Sequence, residues 1–280
     1  MTGKKTTQAK ESIGFAPWRN RVTDLWQTFG LRVINTLART ADYEVVEVTY
    51  GAGEREKFDW YRTADKSPTV IFYYGGNWRS GRKQDFRFVA DTLCGMGVNV
   101  VVPDFPLYPS ARFGAILASA VAAANHFMQV VDPETGVILM GHSSGAQKAA
   151  LLALDDKLIV ERHRLLAMIG LAGPYDFFPF SEDDHWDLFG PEEHYPRSQP
   201  VNYVRADAPP LYLLHGRDDI RVRRGHSKSL MEKQQAAGGQ AAREVYDGMG
   251  HVDAVVSFSR IHRRNNPLIR DIQSYIQALN

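Results

Sequence analysis

The sequence predicts an α/β domain built on a mostly parallel central sheet, with helices on both faces and a small cap inserted late in the chain. Three observations carry that expectation. Short, continuously apolar runs stopped by Gly or Pro recur along the chain. Helical patterns separate those runs, and repeated β–α alternation implies parallel strands joined by crossover helices. The 280 residues are 44% hydrophobic and 23% charged, the balance of a globular chain long enough for one sizeable core.

Residues 1–40 read as a polar tail followed by an amphipathic helix, with Val22, Leu25, Trp26, Phe29, Val33, Ile34 and Leu37 at mixed helical spacings. Lys4, Lys5 and Lys10 are not followed by an apolar run of signal-peptide length, so a cytoplasmic location is expected. The domain proper is expected over residues 41–280. Residues 43–50 and 57–61 read as leading strands about a turn at residues 51–53. The runs at 69–74, 98–102 and 136–140 stop at Gly75, Pro103 and Gly141, as strands buried on both faces would. Helical patterns at 84–93, 112–130 and 146–154 connect them. The apolar stretch 113–124 is too short for the roughly 20 residues of a membrane span. Further strands are expected at 165–171, 210–215 and 243–246, with helices near 224–236 and 269–279. Residues 174–209 form the cap-like insertion, rich in aromatic side chains.

Charge and cysteine content narrow the chemistry. With 33 Lys+Arg against 32 Asp+Glu, a net charge of +1 gives no field to gather a polyanion, which argues against nucleic acid as a partner. Cys94 is the only cysteine, so neither an internal disulfide nor a multi-thiolate zinc site can form. No histidine pair has His-x-x-x-His spacing, and no metal or other cofactor is expected.

The segment Gly141-His142-Ser143-Ser144-Gly145 lies between an apolar strand and a helical run. A serine at such a turn is raised from the sheet, and the flanking glycines give the backbone room. Ser143 is therefore the candidate nucleophile. A serine hydroxyl needs a base and an orienting acid, expected later in the chain as acid then histidine. His215-Gly216-Arg217-Asp218-Asp219 closes one strand candidate and offers two adjacent carboxylates, while Gly248-Met249-Gly250-His251 follows the last strand. His251 is the candidate base. His215 is expected to be structural, and His185 and His194 to be solvent-exposed. Tyr74-Gly75-Gly76-Asn77-Trp78 follows an earlier strand and offers the amides of Gly76 and Asn77, joined by that of Ser144, as an oxyanion hole. Expected substrate-lining residues are Trp78, His142, Tyr175, Phe177 and Phe178.

Together these segments resemble the esterase/lipase branch of the α/β-hydrolases with an HGG-type loop, near the feruloyl/acetyl-xylan-esterase-like and kynurenine-formamidase-like groups. The resemblance extends over about residues 43–280 and includes Asp104-Phe105-Pro106-Leu107-Tyr108-Pro109 and Gly173-Pro174-Tyr175-Asp176. It implies Ser143 as nucleophile, Asp219 rather than Asp218 as acid, and His251 as base. Two positions depart from the pattern: Tyr74 stands where histidine usually precedes the glycine pair, and Pro106 where arginine is usual. The expected activity is hydrolysis of short- to medium-chain carboxylic esters through an acyl-enzyme. The alternatives are an aryl formamidase and a non-catalytic binding protein of the same fold. Expected partners are a small-molecule ester and, at most, a second copy of the chain, with no nucleic acid and no membrane span.

Overall fold

The computed structural model describes residue 35 and residues 41–63, 67–180 and 182–279. The amphipathic helix expected within residues 1–40 lies outside these, apart from Asn35. The Asn35 side chain donates to the Gln84 carbonyl at 3.0 Å and accepts from the Phe88 amide at 3.1 Å.

Eight strands form one sheet in the order β1-β2-β4-β3-β5-β6-β7-β8. They are β1 (Glu44–Thr49), β2 (Lys57–Arg62), β3 (Thr69–Tyr73), β4 (Asn99–Pro103), β5 (Val137–His142), β6 (Leu165–Leu171), β7 (Leu211–Gly216) and β8 (Ala241–Tyr246). The leading hairpin is antiparallel, as is the β2/β4 pair, and every pair from β4 to β8 is parallel. The burial of each strand explains its composition. Strands β3, β4, β5 and β7 are buried at every position and are apolar apart from residues at or next to their ends. The edge strands β1 and β8 keep exposed positions, and β8 alternates half-buried with exposed residues until Tyr246.

The connecting helices are α1 (Arg87–Cys94), α2 (Phe113–Val130), α3 (Ser144–Leu154), α4 (Asp183–Leu188), α5 (Gly225–Ala236), α6 (Asp253–Val256) and α7 (Pro267–Ala278). The pattern expected to give one helix at 84–93 is instead a 3-10 turn at Lys83–Phe86 followed by α1. Helix α2 is long and apolar enough to cross a membrane by length and composition. It buries Ile116, Ala120, Ala123, Ala124 and Phe127, at helical spacing, in the core. Helix α7 starts at Pro267, with the Asn266 side chain accepting from the Ile269 amide.

Strand order fixes where a site can form. Going from β3 the chain moves outward to β4 and then returns across β3 to β5, so the direction in which strands are added to the sheet reverses at β3/β5 while the strands stay parallel. Tyr73 lies in register with Gly141 there, and the loops after both strands open at the carboxyl edge of the sheet. The insertion between β6 and β7 carries α4 and two 3-10 turns, Glu192–Ser198 and Pro200–Tyr203. This is the cap.

Candidate active site

Ser143 occupies the one residue between β5 and α3, with φ 53° and ψ −126°. A non-glycine residue reaches that region only under strain, of order 1–3 kcal/mol. The fold holds it there by close packing: a Cβ on Gly145 would fall 1.9 Å from the Tyr73 carbonyl oxygen, so only glycine lets α3 start against β3.

The structure brings three of the expected residues into one hydrogen-bonded line. His251, in the loop after β8, places Nε2 2.9 Å from Ser143 Oγ and Nδ1 2.7 Å from Asp219 Oδ2. All three side chains are buried. Asp218 does not join them, because its side chain points to solvent while its amide donates to the Met249 carbonyl. Of the two adjacent carboxylates, only Asp219 contacts His251.

Asp219 is strongly prepared as an anion. Its Oδ1 accepts from the amides of Arg221 and Val222, both at 2.9 Å, so the turn after β7 closes around the carboxylate. Burial alone would raise its pKa. The imidazoles of His215 and His251 outweigh burial and hold the carboxyl well below the usual range. His215 is therefore more than a strand-end histidine: its Nε2 lies 2.7 Å from the Val222 carbonyl and 3.3 Å from Asp219 Oδ2. Sequence reasoning missed that contact, although the four-residue spacing from His215 to Asp219 was there to be read.

The loop after β3 reaches the same place. A Cβ on Gly75 would come within 3.0 Å of Ser143 Cβ and of the His142 carbonyl oxygen, so the loop backbone lies directly against the serine. Gly76, Asn77 and Trp78 follow with φ of 134°, 51° and 59°. Among the described residues, the amides of Gly76, Asn77 and Ser144 donate to no protein acceptor. The start of α3 adds the positive end of a helix dipole beside the serine.

The substrate-lining expectations fare differently. Trp78 is 1% exposed, and its Nε1 donates to Gln147 Oε1 at 2.8 Å, while Gln147 donates to the Ser198 carbonyl at 2.7 Å. Trp78 therefore ties loop, elbow helix and cap together. Tyr175 is fully buried and holds the cap down, and Phe177 packs on Trp78, Phe180 and Phe189. Large apolar side chains gain more from this packing than from lining open space. Phe178 is exposed, beside Phe180, Trp186 and Tyr195. His142 bonds the His251 carbonyl through Nε2 at 3.0 Å, so its ring steadies the histidine loop. Burial and the neighbouring His251 push its pKa down to about 3, leaving it neutral. His185 is buried against Trp78, contrary to the expected exposure, and His194 is half-buried.

Residues 60–234 match the family model BD-FAE. An Arabidopsis thaliana protein named "probable isoprenylcysteine alpha-carbonyl methylesterase" is 24% identical over 239 residues, covering 74% of this chain and 50% of its own. The chain thus spans half the length of that relative. A Salmo salar kynurenine formamidase is 28% identical over 217 residues, covering 76% and 72%. Among solved structures, the Pyrobaculum calidifontis esterase superposes with a TM-score of 0.75 at 17% identity, over 94% of this chain and 95% of that one. The fold is that of the α/β-hydrolase esterases.

Proposed function

The chain belongs to the BD-FAE family, an α/β-hydrolase family, and from that premise we propose that it is a serine carboxylesterase acting on short- to medium-chain esters. The observation that carries this reading is the unbroken path Ser143 Oγ, His251, Asp219. His251 Nε2 takes the hydroxyl proton as Oγ attacks the ester carbonyl. Asp219 keeps Nδ1 protonated and stabilises the imidazolium. The amides of Gly76, Asn77 and Ser144 donate to the developing oxyanion, and each such donor is worth about 3 kcal/mol in the transition state. His251 returns the proton to the leaving alcohol, and a water activated by the same nitrogen then hydrolyses the acyl-enzyme. A small, aromatic cap supports short acyl groups over long ones, and the near-zero net charge is consistent with an uncharged substrate.

A second reading, hydrolysis of an aryl formamide, is favoured by the kynurenine formamidase relative. The test is a side-by-side assay of p-nitrophenyl acetate, butyrate and octanoate and of N-formylkynurenine with wild type and Ser143→Ala. The expected result is ester turnover that falls with chain length and drops by about 10⁴-fold or more in the variant. Undiminished turnover in Ser143→Ala would remove the mechanism, and a preference for the formamide would move the substrate class.

A further inference from the structure

The loop that carries the Gly76 and Asn77 amides starts at Tyr74 and ends at Gly81. One side chain from a distant part of the sequence holds both ends. Arg55, in the turn between β1 and β2, donates through Nη2 to the Tyr74 hydroxyl at 3.0 Å and to the Gly81 carbonyl at 2.7 Å. Its Nε donates to the Phe105 carbonyl at 2.8 Å, and Nη2 lies 3.4 Å from Asp104 Oδ1. The Tyr74 hydroxyl in turn donates to Asp104 Oδ1 at 2.6 Å, an oxygen that also accepts the Lys83 amide at 2.8 Å. The Tyr74 ring is stacked between Phe86 and Phe105, with centroids 5.1 and 4.7 Å away. Gly81 passes hard against its edge, where a Cβ would meet Cε2 at 2.7 Å.

The two departures from the family pattern are thereby linked. At the usual histidine position stands a tyrosine whose hydroxyl reaches the Asp104 carboxylate, and beside the segment that lacks the usual arginine, Arg55 of the leading hairpin reaches Asp104 and Phe105. Between the two tied ends, three successive residues sit at positive φ, a conformation that relaxes unless its ends are fixed.

We propose that Arg55 is the positioning residue of this loop: it locks Tyr74 to Gly81 and so aims the Gly76 and Asn77 amides at the transition-state oxyanion. The assignment rests on the ester-hydrolase reading above. A guanidinium suits the task because its planar fork reaches the Tyr74, Gly81 and Phe105 oxygens at once, whereas an ammonium on a flexible stem serves fewer of them in fixed directions. An arginine that merely packed the hairpin would change melting temperature without touching turnover.

The test is steady-state hydrolysis of p-nitrophenyl butyrate by full-length wild type, Arg55→Met, Arg55→Lys, Tyr74→Phe and Ser143→Ala, with a pH–rate profile and a melting curve for each. Arg55→Met is expected to lose about ten- to a hundred-fold in kcat, the range set by displaced donors, with KM within about threefold and the acid limb of the profile unmoved. Arg55→Lys should recover part of the loss, and Tyr74→Phe should lose about tenfold. A folded Arg55→Met with kcat within twofold of wild type would overturn the assignment, as would a lost kcat accompanied by a displaced acid limb, which would place the damage at His251. If Arg55→Met does not fold, the other two variants decide by the same criteria. Full activity in Ser143→Ala would remove the ester-hydrolase reading, whereas its loss there beside an unchanged Arg55→Met would overturn the loop assignment alone.

Discussion

Two buried ionisable side chains lie on either side of the nucleophile elbow, Asp219 reaching Ser143 through His251 and Lys148 on the helix after it, and the fold treats them in opposite ways. On the acid side, Asp219 has two backbone amides, His251 and His215 around its carboxylate. On the elbow helix, Lys148 is equally buried but donates only to the Ser144 carbonyl at 3.0 Å, with the Phe105 ring centroid 4.5 Å from Nζ. Among the described residues no carboxylate pairs with it. Full hydrogen bonding makes the buried anion a stable charge, whereas burial without a counter-ion pushes the Lys148 ammonium down to about 7. Charge is kept where the proposed chemistry uses it and given up where it does not.

The sharpest way to break the contrast is at the acid itself. Asp219→Asn removes the anion while keeping shape, and leaves His251 Nδ1 facing an amide that can present N–H instead of oxygen. A loss of about 10⁴-fold in kcat is expected. Asp218→Asn, on the exposed neighbour, should stay within about threefold of wild type, since surface charges are well screened. Parallel kinetics decide it: a larger loss at Asp218 would reassign the acid.

That pair also marks what the sequence could and could not reveal. The meeting of Ser143 and His251 is legible because each sits in a short glycine-bracketed motif directly after a strand, where local geometry brings the two side chains together. The sheet was legible for a related reason: strands buried on both faces are mostly apolar, and β3, β4, β5 and β7 are apolar except at Thr69, Asn99, His142 and His215, which lie at or next to strand ends. The choice between Asp218 and Asp219 is a matter of one turn's direction, which composition does not encode. Arg55 was hidden because it lies 49 residues from Asp104, in a hairpin turn that reads as solvated surface. The cap is harder to read for the opposite reason. Tyr175 and Phe177 of the cap, with Trp78 of the loop after β3, have the composition of a binding pocket, yet all three are buried, and Trp78 and Phe177 pack on one another.

The Lys148 half of the contrast is tested by pH. In the folded protein the amine titrates at about 7, against 10.5 for the ordinary side chain. Between those values the unfolded chain binds a proton that the folded one lacks, so wild-type stability falls as pH drops from 10.5 and the full penalty is present below 7. Lys148→Met has no such penalty. Its melting temperature relative to wild type should therefore be most favourable near pH 6 and become less so toward pH 10, a change corresponding to on the order of a few kcal/mol. The lost hydrogen bond and ring contact, about 1 kcal/mol each, shift the whole curve without altering its slope. A difference that stays constant from pH 6 to 10 would mean the buried amine keeps its charge, and the two sides of Ser143 would then be alike.

A smaller effect probes how the acid side earns its stability. His215 is fully buried, and the Val222 carbonyl beside Nε2 can only accept, so Nε2 carries the proton and shares it between that carbonyl and Asp219. His215→Phe fills the space but leaves Val222 without a donor, which costs about 1–3 kcal/mol of stability. It also removes one of the groups holding Asp219 as an anion, so kcat should fall by about tenfold. Gln places an N–H donor near the position of Nε2, and His215→Gln should therefore recover most of both losses. Denaturant unfolding and turnover measured on the same two proteins separate the possibilities. If Phe and Gln reduce kcat equally while only Phe lowers stability, His215 supports the strand end alone, and Asp219 depends on the two backbone amides and His251.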